Sequence, residues 1–115
     1  AAAERVVRVS AATIQIGELQ VDTLQKRARL RGPWVWLPPL EFRLLLTLAQ
    51  RAGEVIGHRE LIQAVWGYDA GDNEARELLK VHIHHIRQRL GLTHHSDRYI
   101  RAVRGFGYML APPDG

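Results

Sequence analysis

The sequence predicts an α+β domain: an N-terminal antiparallel sheet of about four strands, three helices, and a C-terminal β-hairpin. Three observations carry this. Short runs between Thr13 and Leu37 alternate apolar and polar residues with a period of two. Between Leu40 and Leu90, apolar residues recur at helical spacings of three and four. Alternation then returns in RYIRAV and FGYML, on either side of Arg104-Gly105.

In chain order, residues 1–12 open with three alanines and read as a linker or a vector-derived remnant, with room for a short strand over Val6–Val9. Thr13–Ile16 puts Ile14 and Ile16 on one face, and Gly17-Glu18 turns the chain. Leu19–Asp22 pairs Leu19 with Val21, and Ala28–Arg31 pairs Ala28 with Leu30. Arg31-Gly32-Pro33 breaks the chain, and Trp34–Leu37 sets Val35 and Leu37 against Trp34 and Trp36. The two tryptophans read as cover for a sheet edge or a brace for a neighbouring domain.

Pro38-Pro39 starts a helix, since proline at the first helical position loses only an N–H that has no partner there. Leu40–Ala52 carries Leu44, Leu45, Leu48 and Ala52 on its packing face, and Gly53 stops it. Glu54–Ile56 reads as an extended connector. His58–Trp66 is a second helix, with Leu61, Ile62, Val65 and Trp66 inward and Gly67 ending it. Gly67–Glu74 is polar, acidic and glycine-containing, a loop long for a tight turn.

The third helix, Arg76–Leu90, organises the rest. Leu79, Ile83, Ile86 and Leu90 stand at i, i+4, i+7 and i+11 and form one apolar seam. Glu77, Val81, His84, His85 and Gln88 lie opposite, with Lys80 and Arg87 at one edge and Arg89 at the other. Gly91 ends the helix. Arg98–Val103 sets Tyr99, Arg101 and Val103 against Ile100 and Ala102, Arg104-Gly105 turns, and Phe106–Leu110 returns; residues 112–115 are a tail. Two helices leading into a basic amphipathic helix make a helix-turn-helix with an enlarged turn, and the hairpin beside it is a wing. The exposed face of bases, imidazoles and an amide suits a major groove, where side chains must reach base edges with cations near phosphates.

Composition agrees. At 115 residues and 46% apolar content the chain is one domain with a modest core. From Arg76 to Arg104 there are seven cations against two carboxylates, a net +5, while the rest of the chain sums to −1. An anionic partner follows from that asymmetry. Fourteen of the sixteen cations are arginine, which favours forked contacts to phosphate or guanine. No cysteine is present, so disulfides and thiolate zinc sites are excluded. No run is long and apolar enough for a membrane span, and no membrane partner is expected.

Four stretches in register, LPPLEFRLLLTLA, GEVIGHRELIQAVWG, VHIHHIRQRL and YIRAVRGFGYML, resemble the winged-helix effector domain of OmpR/PhoB-type response regulators over about residues 13–111. The shared pattern is a Pro-x-Glu-Phe helix start, a Trp-Gly helix end, Val-His-Ile in the recognition helix and Val-Arg-Gly-x-Gly-Tyr in the wing. The resemblance implies base contacts from Val81, His84 and His85 in the major groove, and from Arg104 in the minor groove; Gln88, on the same exposed face, is expected to join the major-groove set. It implies phosphate contacts from His82, Arg87 and Tyr108, and the cations Arg76 and Lys80 on the same helix are expected to add two more. It assigns the loop residues Tyr68, Asp69, Asp72 and Asn73 to RNA polymerase. It further implies a receiver domain upstream, a cognate histidine kinase, head-to-tail pairing on double-stranded DNA, and a bacterial cytoplasmic location, nucleoid-associated when bound.

The departures define what this chain does differently. Pro38 and His58 stand where helix-capping Ser or Thr is common, Lys80 replaces a common Asp, Ala102 a common Thr and Ile86 a Leu. Glu77 stands where some relatives carry a base-reading Arg, and His84 and His85 replace arginines. A relative's target sequence is therefore not inherited, and the interface is expected to be weaker or more pH-dependent. The rival readings are a winged helix used only for protein contacts and a stand-alone regulator. Catalysis is not expected, because no phosphate loop, nucleophile elbow or paired acidic motif occurs. His82 and His85, at i and i+3, can share a ligand. Arg76–Gln88 offers only Glu77 as a carboxylate, however, and a zinc site wants three or four convergent ligands. No metal or cofactor is expected on that count.

Overall fold

The computed structural model describes residues 12–94 and 97–113. The strand anticipated over Val6–Val9 lies outside them. Strands β1 (Thr13–Ile16), β2 (Leu19–Asp22), β3 (Arg27–Leu30) and β4 (Val35–Trp36) form an antiparallel meander in that order. Its buried face presents Ile16, Leu19, Val21, Ala28 and, just beyond β4, Leu37. The register pairs Val21 with both Ile14 and Ala28, so the inward residues stack across the sheet. β3 ends a residue earlier than the alternation suggests because Arg31 takes a positive φ of 51° and begins the turn.

Polar groups on this sheet are accounted for by local partners. Asp22 is buried, and its carboxylate accepts from the N–H groups of Leu24 and Gln25 at 3.0 and 3.1 Å and from Arg27 Nε at 3.1 Å. Burial works against its charge. The Gln25 N–H, the Arg27 guanidinium and the Leu24 N–H outweigh it, and its pKa falls below the usual 3.8. The guanidiniums of Arg27 and Arg29 both stack over the Trp34 ring, 4.5 and 4.2 Å from its centre, and Arg27 also reaches Trp36 at 5.4 Å. The tryptophans are thus stacking partners for arginines on the sheet's outer face.

Helices α1 (Pro39–Gln50), α2 (His58–Trp66) and α3 (Asp72–Leu90) follow. Leu44, Leu45 and Leu48 from α1, Leu61 and Ile62 from α2, and Leu79, Ile83 and Ile86 from α3 meet in the core, each at most 1% exposed. Three expectations need correction. Ala52 is exposed, because α1 ends at Gln50 and the chain has already turned at Arg51. Asp72 and Asn73 are not loop residues. α3 begins four residues before Arg76, with the Ala75 N–H bonded to Gly71 O at 2.9 Å and Ala75 fully buried. Asp72 and Glu74 suit a helix N-terminus, where the backbone presents unpaired N–H groups. The inter-helix loop is therefore Gly67–Gly71. At the other end Gly91, at φ 71°, lets the Leu92 N–H return to Arg87 O at 2.8 Å, closing the helix as a Schellman turn.

The third correction concerns the connector Glu54–Ile56. Its end is a strand, β5 (Ile56–Gly57), paired with β7 (Gly107–Leu110), which pairs in turn with β6 (Ile100–Val103). The wing is thus the outer part of a three-stranded sheet, with its turn at Arg104–Phe106. Gly107 is required here, since a Cβ on it would sit 1.8 Å from Ile56 O. The Gly53 N–H bonds Leu110 O at 2.8 Å, and Tyr99 Oη accepts from the Glu18 N–H at 2.9 Å. The N-terminal sheet and the segment after α1 are tied to the C-terminal hairpin region in this way. No helix among the described residues is long and apolar enough to cross a membrane.

Candidate nucleic-acid interface

The seam of α3 fixes its orientation. With Ala75, Leu79, Ile83, Ile86 and Leu90 buried, the opposite side faces solvent. Arg76, Glu77, Lys80, Val81, His84, His85, Gln88 and Arg89 are all exposed, and Val81 retains half of its surface. Five of the residues proposed to meet DNA from the sequence (Lys80, Val81, His84, His85 and Gln88) therefore lie together on one face. Arg76 stands a turn earlier, beside Asn73, whose Oδ1 it contacts. Arg104 stands apart, exposed in the wing turn next to Gly105. Phe106 beside it is 70% exposed, an aromatic tip that the sequence reading did not single out.

The other proposed residues sit deeper. His82 is turned toward α2, with its ring 5.1 Å from Trp66. Arg87 is half-buried and donates from Nη2 to Ile100 O at 2.7 Å, joining α3 to β6. Tyr108 is 8% exposed, edge-on to His58 at 5.8 Å between ring centres. Burial lowers the Arg87 pKa and raises that of Tyr108. His58 is pushed down by burial first and by the Arg76 charge second. Arg87, Tyr108 and His58 form the joint between α3 and the hairpin. In the loop, Tyr68 and Asp69 are exposed, and Asp69 is held by Arg59 Nη2 at 2.7 Å.

The residue missed altogether is Glu41. It belongs to the Pro-x-Glu-Phe start of α1, and its side chain is 5% exposed. Its Oε2 lies 3.1 Å from His85 Nδ1 and 3.3 Å from His82 Nδ1, while Arg89 Nε approaches Oε1 at 3.3 Å. This one carboxylate on α1 therefore ties down three side chains of α3. An ionised carboxylate only accepts, so in a neutral His85 the proton sits on Nδ1 and Nε2 is left as an acceptor. The signal for Glu41 was present in the motif, but its partners lie 41 and 44 positions away.

Comparison with known proteins places this geometry. Residues 32–110 match the family described as "Transcriptional regulatory protein, C terminal". The response regulator protein PmrA of Pseudomonas aeruginosa is 37% identical over 97 residues, covering 84% of this chain and 41% of that protein. The alkaline phosphatase synthesis transcriptional regulatory protein PhoP of Bacillus subtilis is 37% identical over 101 residues, covering 87% and 41%. The chain thus spans about two fifths of the length of the curated relatives it matches. Among solved structures, the DNA-binding domain of CpxR from E. coli superposes with a TM-score of 0.76 at 25% identity, covering 89% of this chain and 98% of that one. The Klebsiella pneumoniae RstA DNA-binding domain, solved in complex with the RstA box, gives 0.74 at 32% identity, covering 87% and 97%.

Proposed function

The chain belongs to the family of transcriptional regulatory protein C-terminal domains, and from that premise we propose that it binds double-stranded DNA sequence-specifically and regulates transcription as the effector domain of a two-component response regulator. The observation that carries the reading is the exposed face of α3, with bases, imidazoles and an amide on one side and a buried apolar seam on the other. A helix fixed by its seam can enter a major groove as a rigid body, with Val81, His84, His85 and Gln88 toward base edges. Arg76 and Lys80 serve as phosphate anchors. Arg104 enters the neighbouring minor groove, where a narrow A·T tract concentrates negative potential. His82, Arg87 and Tyr108 contribute to phosphate binding from the joint beneath. The Arg87 bond to Ile100 O and the His58–Tyr108 ring contact fix the angle between helix and wing.

In this reading a receiver domain and a cognate histidine kinase act upstream in the bacterial cytoplasm. Two copies bind head to tail on DNA, and the exposed loop residues Tyr68 and Asp69, with Asp72 and Asn73 on the adjoining first turn of α3, face RNA polymerase. Val81 offers a methyl contact to thymine, and a neutral His85 offers an acceptor to adenine N6 or cytosine N4.

The test is selection from a random duplex library at two salt concentrations. An enriched motif, with affinity falling at a log–log slope of about −4 to −5, is expected for neutralisation of roughly 4–6 phosphates. Salt-sensitive binding without a motif would restrict the domain to backbone contacts. No binding would favour the protein-interaction reading.

A further inference from the structure

Glu41 is more than a helix tether. Its side chain is nineteen-twentieths buried, and Oε1 makes no hydrogen bond, although Arg89 Nε stands 3.3 Å away as an ion-pair partner. Arg89 supplies a cation to Oε1, and Oε2 is the oxygen that faces the imidazoles. The fold brings two imidazoles to it, both from α3 and both by Nδ1. One ligand atom from each of Glu41, His82 and His85 falls within 4.8 Å of the others. In a tetrahedral zinc site with bonds of about 2.0–2.1 Å, neighbouring ligand atoms stand about 3.3 Å apart. The two histidine–carboxylate separations, 3.1 and 3.3 Å, already have that spacing.

We propose that Glu41, His82 and His85 form a binding site for a divalent transition-metal ion at the junction of α1 and α3. Two imidazoles and one carboxylate supply three ligands, and water completes the fourth position. His82 and His85, at i and i+3, project from the same side of the helix. Trp66 backs the His82 ring, and the half-exposed His85 gives the ion its way in. Arg89 on Oε1 holds the carboxylate plane in place, as outer-shell partners do at metal sites. Imidazole ligands select zinc, cobalt, nickel or copper over magnesium and calcium, which prefer all-oxygen shells.

The experiment is calorimetric titration of the tag-free chain with Zn²⁺, with Co²⁺ absorption to report the ligand field. It is done without DNA, so its outcome is separate from that of the DNA-binding reading. One Zn²⁺ per chain is expected, together with the visible bands of Co²⁺ in a low-coordinate nitrogen–oxygen site. His85→Ala removes a half-exposed ligand and leaves the core intact, so it should weaken Zn²⁺ at least about tenfold, the least expected of a lost ligand when outer-shell changes alone reach that. Glu41→Gln should weaken it similarly, and His94→Ala, on the exposed connector after α3, should leave it unchanged. The proposal is overturned if the wild-type chain takes up no ion at micromolar Zn²⁺, or if His85→Ala binds Zn²⁺ as tightly as wild type.

Discussion

Replacing Gly107 with alanine tests how the wing is anchored. The added Cβ would meet Ile56 O at 1.8 Å, Ile56 C at 2.7 Å and Gly57 Cα at 2.9 Å, all backbone atoms that no rotamer change can move aside. Relief to the 3.0 Å floor of real Cβ contacts requires β5 and β7 to part by at least 1.2 Å, the difference between 3.0 and 1.8 Å. A backbone hydrogen bond stretched that far is lost. The pairs Ile56–Tyr108 and Gly57–Gly107 go, together with the flanking bond from the His58 N–H to Phe106 O. At about 1 kcal/mol net for each lost bond, plus residual strain, the cost is roughly 2–4 kcal/mol. At about 4 °C per kcal/mol for a domain of this size, Tm should fall by roughly 8–16 °C. Calorimetry measures the shift, and amide exchange at Ile56 and Tyr108 shows whether the loss is local. A Tm within about 3 °C of wild type, with exchange unchanged, would refute the close-approach argument.

Three further outcomes are expected. Arg104→Ala, at the exposed wing turn, should reduce affinity about tenfold for sites with an A·T-rich flank and much less for G·C-rich flanks; competition binding with the two flanks would count against minor-groove insertion if the losses were equal. Ile86→Asp places a carboxylate where wild type is 0% exposed, and a penalty of several kcal/mol against a total of about 5–15 should unfold the chain or lower Tm by more than about 10 °C; an unchanged melting curve would mean that the seam faces elsewhere. Asp22→Asn should destabilise at neutral pH only. The lowered carboxyl pKa contributes stability that is full above the unfolded value near 3.8 and lost as pH falls through the folded value. Urea midpoints of the two proteins should therefore draw together as pH falls below 3.8 and meet once it is below the folded value, and a gap that persists there would assign the role to shape rather than charge.

How much was legible follows from range. β1, β2 and α2 have the bounds their periodicity suggests, because each writes its own pattern in four to nine consecutive residues. The seam Leu79, Ile83, Ile86, Leu90 was legible for the same reason. The first turn of α3 was not, because Asp-Asn-Glu-Ala has no apolar residue larger than alanine and reads as loop chemistry. β5 was not, because two residues hold no period and become a strand only by meeting β7 some fifty positions later. Ala52 carried the right spacing, yet the helix had already ended. On the site, the exposed residues of α3 were legible from the seam alone. The depth of His82, Arg87 and Tyr108 depends on α2, β6 and His58, and nothing local encodes it. A metal site is not legible in the sequence, because the stretch around His82 and His85 offers only Glu77 as a carboxylate and too few ligands converge; the carboxylate that the fold brings to them, Glu41, comes from another helix.

That carboxylate links the two roles proposed for His85. With Nδ1–H donated to Glu41, a neutral His85 offers its Nε2 lone pair and should prefer the amino groups of adenine or cytosine. With Nδ1 bound to Zn²⁺, the ring proton moves to Nε2, and the same side chain becomes a donor suited to guanine O6 or a purine N7. The ring is held from α1 in both states, so its position changes little while the sign of its hydrogen bond reverses. One hydrogen bond of about 0.5–1.5 kcal/mol corresponds to roughly a two- to tenfold change in preference at a single base pair. Site selection run with Zn²⁺ and again with chelator should therefore give motifs that differ at one position in each half-site, from adenine or cytosine toward guanine. His85→Ala should show no such change. If the two wild-type motifs are identical while Zn²⁺ is bound, His85 does not read bases, and discrimination rests on Val81, His84 and Gln88.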